Sequence, residues 1–113
     1  MMLDVNGNNV ETDAQGFLCH LDEWSESYTR ELAQKDHLEL YNDHWELIYY
    51  FREYYEEHLN SPTMHTLVRD FGNKKERFRD RKAYEKHIYS LFPFDPVHEI
   101  CKLAGLPLPP PDT

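Results

Sequence analysis

Leu3, Val5 and Val10 bracket a polar run at 6–9, and the Asn6-Gly7 pair inside it is the dipeptide a two-residue hairpin turn prefers. A second polar turn, Asp13-Ala14-Gln15-Gly16, precedes Phe17-Leu18-Cys19. This spacing predicts three short strands over residues 3–19, folded as an antiparallel meander. After Leu21 the apolar period lengthens to four, with Trp24, Tyr28 and Leu32, and the segment runs out in polar residues 34–37. That pattern predicts a helix.

The following helix is the strongest. Asn42 or Asp43 can cap it, and Trp45, Ile48, Phe51 or Arg52, Tyr55 and Leu59 trace a stripe over roughly four turns. It is expected to be central, with Trp45 and Ile48 buried against its neighbours. Ser61-Pro62 suits a helix start, Met64, Leu67, Val68 and Phe71 fall at i, i+3, i+4 and i+7, and Gly72 suits a stop. Tyr84, Ile88 and Leu91 predict a fourth helix ended before Pro93, and Asp95-Pro96 opens a fifth. In that last helix Val97, Ile100, Cys101 and Ala104 share a face and Gly105 closes it. Residues 106–113 hold four prolines, which remove backbone donors and force an extended arm. The fold class read from the pattern is α+β, a small meander on about five helices. One domain is expected over 1–113, with a globular core at 1–105 and an arm at 106–113.

Composition narrows the function. A length of 113 residues with 40% hydrophobic content suits one modest core. The chain has no run of 18 apolar residues and no signal-like N-terminus, so it is expected to be soluble, cytoplasmic and monomeric, with no membrane partner. A net charge of −9 opposes non-specific attraction to nucleic acid and favours a protein partner. The charge is uneven. Lys74, Lys75, Arg77, Arg79, Arg81, Lys82 and Lys86 crowd residues 73–86 against three acids, a net of +4 that leaves −13 elsewhere. Such a run is ordinarily a solvated face and otherwise a docking patch for an acidic protein or for RNA.

Candidate chemistry is sparse. The two cysteines, Cys19 and Cys101, lack the paired spacing of a zinc site or a disulfide framework. Neither a metal nor another cofactor is expected from the seven histidines, which lack ligand spacing. The tyrosines at 49, 50, 54 and 55 suit packing better than base stacking. Cys101 sits in the second half of its helix, where the dipole raises a thiol pKa, and Lys102 beside it points elsewhere. His98, at i−3, is the one neighbour placed to assist. The reading that Cys101 is a small packed residue is therefore preferred over a working thiol.

Several stretches carry a resemblance together: Leu38-Glu39-Leu40 with His44-Trp45, Arg52-Glu53-Tyr54-Tyr55-Glu56-Glu57, Ser61-Pro62, Tyr89-Ser90-Leu91-Phe92-Pro93, and Cys101-Lys102-Leu103-Ala104-Gly105-Leu106-Pro107. In this order they resemble the DsrC/TusE family over nearly the whole chain. The resemblance implies a three-strand meander on about five helices with a mobile arm. It also implies a sulfur carrier rather than an enzyme, one that passes sulfane sulfur toward tRNA thiolation or presents it to dissimilatory sulfite reductase.

The family's working thiol is a penultimate cysteine on the arm, and the DsrC branch adds a second cysteine in the preceding helix. Here Cys101 matches the helix cysteine, while the penultimate residue is Asp112, which cannot accept sulfane sulfur. The basic window is also a few residues longer than usual and lacks the Gly-Asn-Ser that commonly precedes the Leu-Phe-Pro region. The expectation is a regulatory family member that docks on sulfur-relay proteins or a sulfite reductase-type complex through its arm. The alternative is a carrier that uses Cys101. A weaker alternative is a nucleic-acid-binding regulator, because two adjacent helices loosely suggest helix-turn-helix but are joined by too long a connection.

Overall fold

A computed structural model describes residues 2–72 and 81–109. The hairpin forms as its turn chemistry dictates: strand β1 (Met2–Val5) pairs antiparallel with β2 (Asn8–Glu11) in the register Val5 to Asn8 and Leu3 to Val10. Asn6 and Gly7 both take positive φ, 53° and 84°, the geometry that matches the twist of the strands they join. Leu3, Val5 and Val10 then face the core together.

The third strand does not form. Thr12 and Leu18 make an isolated bridge, so the sheet has two strands rather than a three-strand meander. The expected turn is present, with the Asp13 carboxylate accepting from the Gln15 and Phe17 amides and Gly16 at φ 90°. Beyond Leu18, however, the chain enters a 3-10 turn at Leu21–Glu23 before a ladder can extend.

Five helices follow: α1 (Glu26–Lys35), α2 (Asn42–His58), α3 (Met64–Gly72), α4 (Arg81–Leu91) and α5 (Pro96–Leu103). Ser25 caps α1 by accepting from the Tyr28 amide, which leaves Trp24 outside the helix it was expected to begin. The cap of α2 is Tyr41 rather than Asn42 or Asp43. Its backbone N–H donates to Nδ1 of His44, and Nε2 of the same ring meets the Leu91 carbonyl at 2.9 Å. One nitrogen accepts and the other donates, so the buried ring is the neutral tautomer. At the start of α3, Thr63 caps through the Thr66 amide, and Pro62 is packed away in the core instead of opening the helix. Asp95 caps α5 as expected, with Pro96 in the first turn.

The core gathers Tyr28 and Leu32 of α1, Leu47, Ile48 and Phe51 of α2, Leu67 of α3, Ile88 of α4 and Ile100 of α5. The buried stripe of α2 therefore runs through His44, Leu47, Ile48 and Phe51. Leu59 is 77% exposed in the left-handed region, and Trp45 is only partly buried. Trp45 lies at the rim, stacked on Tyr49 with the Arg30 guanidinium 5.3 Å from its ring centre. Trp45→Ala is accordingly expected to cost about 1–2 kcal/mol, less than a fully buried aromatic would. A thermal melt unchanged from the parent would contradict even that.

His44 also sets a pH dependence. Burial is the largest influence on its imidazole and lowers the pKa below 6.5, against smaller opposing effects of the Leu91 carbonyl and Asp43. A depressed folded pKa means stability that is present above the unfolded value and is lost as pH falls through the folded one. Stability should therefore decline below about pH 6.5, and His44→Gln should flatten that decline. Identical melting-temperature curves from pH 7.5 to 5 for parent and variant would remove His44 from the account.

Candidate functional site

The carbonyl end of α5 is where the chain's distinctive residues meet. A helix leaves its last four C=O groups without intrahelical partners. Here the carbonyls of Ile100, Cys101 and Lys102 accept from the backbone N–H groups of Ala104, Leu106 and Gly105, at 2.8, 2.9 and 3.3 Å. The Leu103 carbonyl accepts from the Thr29 hydroxyl at 2.7 Å and from the Trp24 indole N–H at 3.0 Å. Arg52 then reaches across from α2, and its guanidinium donates to the Ala104 carbonyl at 2.7 Å while lying 4.0 Å over the Trp24 ring. Gly105 turns the chain at φ 71°, so close to Trp24 that a Cβ there would lie 2.6 Å from Cδ1 of the indole. Leu106 is buried beyond the turn, and Pro107 is exposed.

Cys101 lies inside this arrangement with no exposed surface. Burial pushes its thiol up to about 12, and a hydrogen bond from the Ser61 hydroxyl opposes the rise only in part. The position near the helix's negative end adds nothing that would favour a thiolate. The His98 ring packs edge-on against Phe17 at 5.0 Å. Lys102 packs its stem beside Gly16 and pairs with Asp36 at 3.2 Å. Cys19 is an exposed free thiol beside the hairpin.

The remaining sequence-derived candidates divide. Arg81 and Lys82 at the start of α4 and Lys86 at its middle are exposed, whereas Lys74, Lys75, Arg77 and Arg79 lie outside the described residues, as does Asp112. Among the described residues no group of three His, Cys, Asp or Glu side chains is placed to hold a metal ion, and no helix is long and apolar enough to cross a membrane. Sequence reasoning overlooked Trp24, Thr29 and Arg52 as a group. The available signal was Arg52, which fell on the apolar stripe of α2 as an alternative to Phe51.

Comparison with known proteins bears on the family and the fold. The family model described as DsrC like protein matches residues 4–111. The sulfurtransferase TusE homolog of Haemophilus influenzae is 41% identical over 108 residues, 96% of each chain. The NMR structure of Allochromatium vinosum DsrC superposes with a TM-score of 0.86 at 34% identity, covering 99% of this chain and 97% of that one. The crystal structure of the oxidized gamma-subunit of the dissimilatory sulfite reductase (DsrC) from Archaeoglobus fulgidus gives 0.85 at 31% identity, with both chains fully covered.

Proposed function

The chain belongs to the DsrC family, and from that membership we propose that it docks on sulfur-transfer partners through its C-terminal arm without carrying sulfur itself. A family role in sulfur relay is supported by a relative named sulfurtransferase TusE homolog and by one titled gamma-subunit of the dissimilatory sulfite reductase. One observation carries the finer reading: residues 102–113 contain no cysteine, and Asp112 stands at the arm position where the family resemblance expects one. A carboxylate has no sulfur nucleophile to attack a sulfane donor. It does place a negative charge where a thiolate or persulfide stands in a cysteine-bearing relative, so a partner can accept the arm and receive nothing.

The division into a core at 1–105 and an arm at 106–113 belongs to the same reading, with the core supplying the fixed base from which the arm reaches a partner. The buried state of Cys101 weighs against the alternative of a carrier that uses this residue, since transfer needs an accessible thiolate. The partner class follows the family: sulfur-relay proteins, or an assembly of the sulfite reductase type such as the one the Archaeoglobus fulgidus relative belongs to. Nucleic acid is disfavoured by the net charge of −9.

Competition tests the reading directly. Titrating the protein into a reconstituted relay that uses a cysteine-bearing TusE-type carrier should slow sulfur delivery as the two compete for one docking surface. Undiminished delivery at large excess of the protein would refute the docking role.

A further inference from the structure

The end of α5 is closed without Arg52: three of its carbonyls take backbone N–H groups, and the fourth takes Thr29 and Trp24. Arg52 instead holds the carbonyl of Ala104, the first residue past the helix. That carbonyl shares its peptide unit with the Gly105 N–H, whose own bond to Lys102 is long at 3.3 Å. Rotation of this one unit would strain the Leu106 N–H bond to the Cys101 carbonyl and redirect the chain beyond it. The short 2.7 Å bond from a cation is the stronger restraint on it.

Bringing the guanidinium here carries a cost, since burial is the largest influence on Arg52 and disfavours its charge. Stacking on the Trp24 face at 4.0 Å fixes the fork's plane and offsets part of that cost. Past the turn, Leu106 is buried and Pro107 has a fixed φ, so an orientation set at the 104–105 peptide is transmitted into the arm with little slack.

We infer that Arg52 is a positioning residue: by gripping the Ala104 carbonyl from a platform on Trp24, it fixes the direction in which the C-terminal arm leaves the core. The functional part of this inference rests on the arm being the docking element; the structural part does not.

The test uses the full-length protein labelled with 15N, comparing the parent with Arg52→Met, which keeps the stem's bulk, and Arg52→Lys, which keeps charge and a donor but not the planar fork. In Arg52→Met the heteronuclear NOE values of Leu106 and Leu108 should fall while those of α1 to α4 stay at parent values, and competition in the TusE-type relay should weaken about tenfold. Arg52→Lys should recover part of both. Unchanged NOE values at Leu106 and Leu108 in a folded Arg52→Met protein would overturn the assignment. Should Arg52→Met fail to fold, an arm in Arg52→Lys as ordered as the parent's would overturn it equally. If the parent itself does not compete, the docking role fails, and the relaxation comparison still decides whether Arg52 orients the arm.

Discussion

Replacing Gly105 with alanine is expected to destabilise the protein by roughly 2–4 kcal/mol, from two independent causes. The residue sits at φ 71°, where an L side chain strains the backbone. The added methyl would also lie 2.6 Å from Cδ1 and 3.0 Å from Cβ and Cγ of Trp24, inside contact distance at the root of that side chain. Relief by moving Trp24 would break its bond to the Leu103 carbonyl and take away the surface on which Arg52 stacks. Urea unfolding followed by circular dichroism would measure the loss. A Gly105→Ala midpoint equal to the parent's would show that the end of α5 is looser than the structure has it.

That glycine illustrates what the sequence could and could not disclose. Its role as a helix stop follows from its place after an apolar stripe, as the hairpin follows from Asn6-Gly7, and in both cases a local backbone requirement selects the residue. The contact with Trp24 was not legible, because it joins positions 79 to 81 residues apart. Arg52 shows the same limit: periodicity places it at the edge of the stripe of α2, and nothing local distinguishes a solvated guanidinium from one that serves a carbonyl 52 residues away. Ser61 was misread for a different reason. Ser-Pro is a good start signal in isolation, but Pro62 is drawn into the core and the Ser61 hydroxyl to Cys101, so the cap falls to Thr63. The third strand failed because a single bridge at Leu18 leaves too little chain before the turn at Leu21–Glu23. The apolar face and packed state of Cys101 were legible from spacing, but the Ser61 hydroxyl that meets it was not.

The largest functional effect is expected from Asp112→Cys. The change would place a thiol at residue 112 while leaving Arg52, Trp24 and Gly105 at the end of α5 untouched. The introduced thiolate would attack the outer sulfur of a small persulfide donor, the donor would leave as its thiolate, and the protein would gain one sulfur atom, about 32 Da. Transfer onward to a relay partner should accompany that gain. A variant that accepts no sulfur would mean that the divergence of this chain extends past one residue, with the basic segment 73–86 as the next place to change.

The central claim, that the unaltered protein docks but does not carry, is tested most directly by intact-mass and peptide mass spectrometry of the parent after incubation with the same donor and then with a relay partner. The expected result is no transferable sulfur on Cys101, whose thiol is buried and held at about 12. Any adduct should lie on exposed Cys19 and remain there when partner is added. A persulfide on Cys101 that disappears as the partner gains the same mass would contradict the claim and make Cys101 the working thiol.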